Sequence, residues 1–417
     1  MKIADIRPEI YDMAARAEAR LAEVFRDIDT VAMANTKRVM EAFQDNRVSD
    51  ACFAGTTGYG YDDLGRDTLD KIYAQVFGTE AALVRLGFVN GTHALTAAMF
   101  ALVKPGDTIL SLSGMPYDTL QNAIGISGDG FGSLKFYGVN YGQVELAAEG
   151  KPDLAAITKA CADPSVTAVM LQRSSGYGTR GALSIDDIAR ACAAVKAVNP
   201  AINTMVDNCY GEFTELSEPT NVGADIIAGS LIKNPGGGLA PTGAYIAGKK
   251  ELVDRAAVRL TTPGIGGECG STLGSNRLLF QGLFMAPHTV AQALKTACFC
   301  AAMMDELGIE SSPRFDEKRS DIIQRVMLGS AEKIKRFCLG IQAGAPVDSY
   351  VTPEPWPMPG YNCDVIMAAG AFVQGASIEL SADAPMREPY IVYMQGGLTY
   401  ESGKLGIMMA ASAMIGG

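Results

Sequence analysis

The chain has 417 residues, 48% of them hydrophobic and 19% charged, and a formal net charge of -11. That length exceeds what one compact core usually serves and predicts about two or three domains of a well-buried globular protein. The acidic balance and the lack of basic clusters exclude nucleic acid and an anionic membrane surface as partners, since both are bound mainly through Lys and Arg.

The N-terminus MKIADIRPEI carries acids early and has no apolar run of the kind a secretory signal needs. Residues 5–44 read as two helical stretches, with apolar spacing in IYDMAARAEARLAEVFRDIDTVAMANTKRVMEAF. A glycine- and tyrosine-rich segment follows, FAGTTGYGYDDLGRD, and then a helix, DTLDKIYAQVFG. Its apolar face holds Leu69, Ile72, Tyr73, Val76 and Phe77, and Gly78 is its stop.

From residue 81 to about residue 250 strands and helices alternate. The strand-like runs are ALVR, DTILSL, LKFYGV, TAVMLQ, INTMVD, ADIIAGS and GAYIAG; among the helical ones are HALTAAMFALV, DLAAITKACA and IDDIARACAAVKAV. Continuous apolar strands between helices indicate a mostly parallel sheet covered on both faces. Beyond residue 285 the pattern changes to two long helical stretches, TVAQALKTACFCAAMMDELG and EKRSDIIQRVMLGSAEKIKRFCLGI. A Pro-rich link, VTPEPWPMPGYN, then leads to strands in CDVIMAAGAFV, SIELSAD and YIVYMQGGL and to a final helix. The longest apolar tail, LGIMMAASAMI, is too short to cross a bilayer. The expected division is an N-terminal helical segment (1–50), a large cofactor-binding α/β domain (51–285) and a smaller C-terminal α+β domain (286–417).

Nine scattered cysteines without a C-x-x-C pair, and only two histidines, argue against a zinc site; no metal is expected. Reduced cysteines in a cytoplasmic protein are the expectation.

Two strand-like runs end on charge: AINTMV on Asp207, and ADIIAGSLI on Lys233. Ligands of such sheets sit outside the carboxyl ends of the strands. Burying a carboxylate and an ammonium there is costly unless something satisfies both. Pyridoxal phosphate does so, taking a lysine as Schiff base and a carboxylate opposite its ring nitrogen. Taken singly, each residue has an ordinary reading: lysines usually end in solvent, and Asp in VDNCYGEF suits a turn. Burial is expected to lower the pKa of Lys233 and make it a usable base.

Asn90 or Thr92 in NGTHALTAAMF can cap a helix whose first N–H groups would cradle a phosphate, though a plain capped helix reads the same. Ser230, three residues before Lys233, adds a hydroxyl. Neither a P-loop nor a G-x-G-x-x-G fingerprint is present. Tyr117 is the first candidate to stack on a cofactor ring and His93 the second. Tyr59 and Tyr61 sit in a loop too polar to be core. For a substrate carboxylate the candidates are Arg387 and Arg173.

With those residues in view, the chain resembles fold-type I pyridoxal-phosphate enzymes. It is most similar to the methionine γ-lyase/cystathionine β-lyase-like group known as aluminium resistance proteins. The segments that carry this are GYGYDDLGRDTLDKIYAQVFG, ALVRLGFVNGTHAL, LQRSSGYGTRGALSI, VDNCYGEF, GSLIKNPGGGLAPTGAYIAG and EPYIVYMQGGLTYE, over roughly residues 55–400.

The resemblance implies a lyase for a small-molecule, sulfur-containing amino acid. Lys233 would be its Schiff-base lysine and Asp207 its ring-nitrogen partner, with Gly91, Thr92 and Ser230 at the phosphate and Tyr117 on the ring. It also implies a homodimer or homotetramer with shared active sites. The wider family's tyrosine–arginine pair, donated by a neighbouring subunit, here reads Tyr59-Gly60-Tyr61, with the tyrosine kept and no arginine. The stretch that holds the family's carboxylate-binding arginine reads YMQGGL, and Arg387 lies several residues earlier. An aldolase, racemase or transferase on the same cofactor stays open at this level, as does a non-catalytic cofactor-binding protein linked to metal tolerance.

Overall fold

The computed structural model describes residues 1–128, 130–358 and 363–415. Residues 359–362 of the Pro-rich link lie outside them. The two N-terminal helices form where the spacing predicts. Helix α1 (Pro8–Ala19) starts on a proline whose φ suits a first turn, and buries Ile10, Ala14 and Ala17 on one stripe. Helix α2 (Ala22–Asp45) buries Asn35, Val39 and Ala42. Helix α3 (Leu64–Val76) is capped by Asp63, whose side chain accepts from the Arg66 N–H.

Seven strands make the large sheet: β1 (Ala81–Arg85), β2 (Thr108–Ser111), β3 (Asn140–Gln143), β4 (Val166–Gln172), β5 (Asn203–Asp207), β6 (Ile226–Ser230) and β7 (Ala244–Gly248). Their order is β1-β7-β6-β5-β4-β2-β3. Strand β7 runs antiparallel to both neighbours, and the other pairs are parallel. Side chains alternate across it. Met170, Met205, Ile226 and Ile246 pack with α4 (Gly91–Leu102), α5 (Asp118–Ile124) and, later in the chain, α8 (Lys250–Leu260). Val169, Leu171, Val206 and Ile227 pack on the other face with α3, α6 (Leu154–Ala160) and α7 (Ile185–Val198). With a helix layer on each face, both faces of a strand are buried, which is why these strands read as unbroken apolar runs.

Helix α9 (Asn276–Glu306) runs through two cores: Leu279 to Leu294 pack with the large sheet, and Ala297 to Met304 with the small one. The small sheet is β8 (Ser311–Ser312), β9 (Ile323–Met327), β10 (Trp356–Pro357), β11 (Asp364–Ala369), β12 (Ser381–Pro385) and β13 (Ile391–Gln395), in the order β10-β11-β12-β13-β9-β8. All its pairs are antiparallel. Helices α10 (Ala331–Ala343) and α11 (Tyr400–Ile415) complete its core. Gly340 lets these two helices touch, since a Cβ there would lie 2.4 Å from Ala410 Cα. Gly340→Ala is therefore expected to lower stability by about 1–3 kcal/mol, read as an earlier thermal transition.

Two expected elements differ. LKFYGV is not a strand: residues 134–138 are turns, and the chain enters the sheet only at β3. The stretch from Glu317 to Ile341 is not one helix, because Ile323–Met327 forms β9 and α10 starts only after Ser330, which caps it. Gly329, with φ 70°, makes the break.

Candidate active site

The parallel strands deliver their carboxyl ends together: Gln172 of β4 is in register with Asp207 of β5, and Asp207 with Ala228 of β6. Two residues past Ala228, Ser230 ends β6, and Lys233 opens the short 3-10 turn Asn234–Gly236. Lys233 Nζ lies 3.7 Å from the centroid of the Tyr210 ring. Tyr210 holds a left-handed backbone (φ 71°) and its hydroxyl is 3.3 Å from Ser377 Oγ. A bulky residue in that region is strained, and such strain concentrates at functional sites.

Asp207 is buried, and its Oδ1 accepts the Cys209 N–H at 3.1 Å. Burial raises its pKa above the usual carboxylate value, while Lys233, the Cys209 bonds and Arg180 pull the other way. Burial likewise opposes the charge on Lys233. Here the expectation of a lowered lysine pKa fails: Cys209, Tyr210, Asp207 and Tyr117 around it hold the pKa well above the ordinary lysine value. Surrounding acidic groups outweigh desolvation.

Helix α4 points its first turn at this pair. Asn90 caps it by accepting from the His93 N–H at 2.9 Å. Gly91 and Thr92 then occupy the first turn, where N–H groups have no partner within the helix and anions are favoured. A Cβ on Gly91 would sit 3.1 Å from Ser230 Cβ and 3.7 Å from Cys209 Sγ, so the missing side chain is what lets the helix end approach β6. Thr92 Oγ1 shares a 2.9 Å hydrogen bond with the Tyr117 hydroxyl. Gln172 Oε1 accepts the Tyr117 N–H at 3.1 Å. Burial and the Asp207 charge raise the pKa of Tyr117, so its hydroxyl stays protonated at neutral pH.

The structure thus brings Lys233, Asp207, Gly91, Thr92, Ser230 and Tyr117 together. It places the other candidates differently. His93 packs edge-on against Phe88 at 5.3 Å, and its Nδ1 accepts the Val89 N–H. Burial and Arg259 lower its pKa. Tyr59 and Tyr61 stack on each other at 5.6 Å, 73% and 57% exposed. Arg387 is exposed, at a cleft it shares with Tyr177 and Tyr393.

Arg173 is completely buried. Through Nη1 and Nη2 it donates to Asn208 Oδ1, the Gly211 carbonyl, Thr214 Oγ1 and Glu215 Oε1, so both ends of its fork are engaged within the chain, while its Nε is buried without a partner.

Three residues were missed. Arg180 donates to the carbonyls of Gln172, Arg173, Ser174 and Gly181, and its charge acts on Asp207. Its glycine-rich loop was visible in the sequence. Tyr210 carried no local signal. Asp383 did: it is a lone carboxylate inside an apolar strand.

This donor set fits pyridoxal phosphate: an anion cradle at α4, a buried carboxylate, a half-buried lysine and an aromatic ring around one point, with Gly91 letting the helix end close in on Ser230. A model of the methionine gamma-lyase family matches residues 10–415. The chain belongs to that family. Across 98% of this chain and 96% of its own, a crystal structure from Clostridium novyi NT, described as a carbon-sulfur lyase involved in aluminum resistance, is 52% identical with a TM-score of 0.94. The uncharacterized protein YnbB of Bacillus subtilis (strain 168) is 47% identical over 96% of both chains. At 16% identity, covering 94% of this chain and 97% of its own, the pyridoxal-5'-phosphate dependent protein YhfS from Escherichia coli shares the fold, with a TM-score of 0.62. The methionine gamma-lyase-like chain therefore has the fold-type I architecture. Among the described residues no helix is long and apolar enough to cross a membrane, and no cluster of three or more His, Cys, Asp or Glu side chains is arranged to hold a metal.

Proposed function

We propose that the protein is a pyridoxal-phosphate-dependent carbon–sulfur lyase acting on a sulfur-containing amino acid, of the cystathionine β-lyase or methionine γ-lyase kind. The observation that carries this is the convergence of Lys233, Asp207 and the α4 N-terminus at the carboxyl edge of one sheet. When bound, the cofactor supplies an aldehyde for the amine and a ring that accepts electrons.

The chain's residues supply the rest. The N–H groups of Gly91 and Thr92, with the Ser230 hydroxyl, bind the phosphate. Asp207, as an anion, holds a proton on the ring nitrogen, and Tyr117 orients the ring. Lys233 would hold the cofactor through its Nζ and, once released by the substrate amine, would be the base for the Cα proton. Ile323, Ile391 and Tyr393 pack against Tyr177 and Tyr210, and this apolar cluster narrows solvent access to the half-buried lysine. The stacked, exposed Tyr59 and Tyr61 support a homo-oligomer, a dimer or tetramer, in which they face a neighbour's site. The nine cysteines are all free, which supports a cytoplasmic location.

The test is the absorbance spectrum of the purified protein. It is expected to be yellow, to change on adding cystathionine, cysteine or methionine, and to release a 2-oxo acid from at least one of them. A colourless protein that the cofactor cannot reconstitute would remove the proposal.

A further inference from the structure

Tyr210 occupies a position where a glycine would sit without strain. Its φ of 71° is left-handed, and Gly211 is its neighbour, yet the aromatic residue takes the unfavourable place. Bonds on both sides hold the turn. The Asn208 N–H donates to the Ala228 carbonyl, the Gly211 carbonyl accepts from Arg173, and the Glu212 carbonyl accepts from Asn234 Nδ2 at 2.9 Å. The ring is fixed in turn by the cluster of Ile323, Ile391 and Tyr393 and by the contact of its hydroxyl with Ser377 Oγ.

What this arrangement delivers is a ring face, with Lys233 Nζ 3.7 Å from its centroid. A cation within about 6 Å of a ring centroid is attracted by the negative face, and a neutral amine lacks the charge for it. The other titratable groups that act on the lysine are Asp207 on β5, Cys209 and Glu212 in the same turn, Tyr117 at the start of α5 and Asp383 on β12. Burial keeps Tyr117, Cys209 and Tyr210 protonated at neutral pH, and raises the pKa of Glu212 to about 8 and of Asp383 to about 6. The ring beside Nζ is therefore a neutral phenol, and its pull on an ammonium comes from its face. In the proposed mechanism Asp207 serves the cofactor, whereas the ring stays with the lysine.

We infer that the face of Tyr210 is the seat of the Lys233 ammonium. When the substrate amine frees the lysine, Nζ rests on the ring. The Cα–H bond then breaks, its proton turns the Nζ amine into an ammonium, and its electron pair stays with the substrate carbon. Tyr210 favours that product and so is a positioning residue that acts through Lys233. The proton step rests on the lyase reading above; the seat does not.

Three proteins test this: Tyr210→Phe keeps the face, Tyr210→Leu removes it, and pentafluorophenylalanine at position 210 keeps the ring's shape without its negative face. The full chain freed of cofactor is treated with acetic anhydride at pH 8, which reacts only with unprotonated amine, and the label on Lys233 is followed by mass spectrometry. Tyr210→Phe should label like the unaltered protein, and the other two about tenfold faster. If the leucine variant does not fold, the phenylalanine and fluorinated proteins decide alone. Equal labelling throughout, or faster labelling with leucine only, which reports access, would overturn the seat. With cofactor bound, kcat for 2-oxo acid release should fall about threefold in the fluorinated protein and hold in Tyr210→Phe. Faster labelling with full turnover would overturn the part in proton transfer. Faster labelling with no 2-oxo acid from any of the proteins, the unaltered one included, would remove the lyase reading and leave the seat.

Discussion

Lys233→Ala is expected to lower turnover by about 10,000-fold or more while the protein stays folded. In the proposed mechanism the lysine has two roles, carrying the aldehyde and moving the Cα proton, and a positioned base alone is worth about 100- to 10,000-fold. The fold should survive because Asp207 retains the Cys209 N–H and the nearby charge of Arg180. The proposed phosphate cradle at Gly91, Thr92 and Ser230 lies on α4 and β6 and is unaltered. The variant should therefore still take up cofactor, with an absorbance that differs from that of the lysine-linked form. Release of 2-oxo acid and the spectrum, measured on one preparation, separate loss of chemistry from loss of cofactor. Activity above about one-hundredth of the unaltered protein would show that Lys233 is not the base.

Asp207 was legible because it ends the continuous apolar strand β5, and Lys233 because it closes the apolar run of β6, although the strand itself stops three residues earlier at Ser230. The β4, β5 and β6 runs were legible for the same reason. At the sheet edge the rule fails. Strand β3 reads NYGQ and pairs only with β2, so it need not be apolar, and the more hydrophobic LKFYGV drew the assignment instead. Strand β9 sits in a short apolar run that periodicity cannot tell from a helix, and the helix beginning four residues later extended the wrong reading. Tyr117 and His93 were both plausible stackers. Only the packing of α4 against the Phe88 turn separates them. Asp383 was visible as a lone carboxylate in its strand, but its place beside Tyr393 required the pairing of β12 with β13, a contact between residues about ten positions apart.

Arg173 shows the same limit with the larger consequence. Arg173 and Arg180 share one loop-bounded segment, and sequence does not tell which one is buried. Arg173→Met is expected to cost about 3–5 kcal/mol of stability, because removing one partner of a buried ion pair leaves the other uncompensated. Its Nη1 bonds Asn208 and Gly211 at 2.8 and 2.9 Å and lies 3.6 Å from Glu218, whose side chain is 1% exposed. Its Nη2 bonds Glu215 at 2.9 Å. Arg38, 3.4 Å from Glu218, is then the one remaining cation for that carboxylate among the described residues. Arg173→Lys should recover little, since one ammonium does not reproduce a planar fork that reaches four acceptors. Thermal and denaturant melts of both variants decide the matter. An unchanged melt combined with a raised KM for the amino acid would return Arg173 to the role of carboxylate receptor. An early melt in both variants makes it the clamp that holds the Asn208–Glu218 loop, and so Tyr210 beneath Lys233, in place.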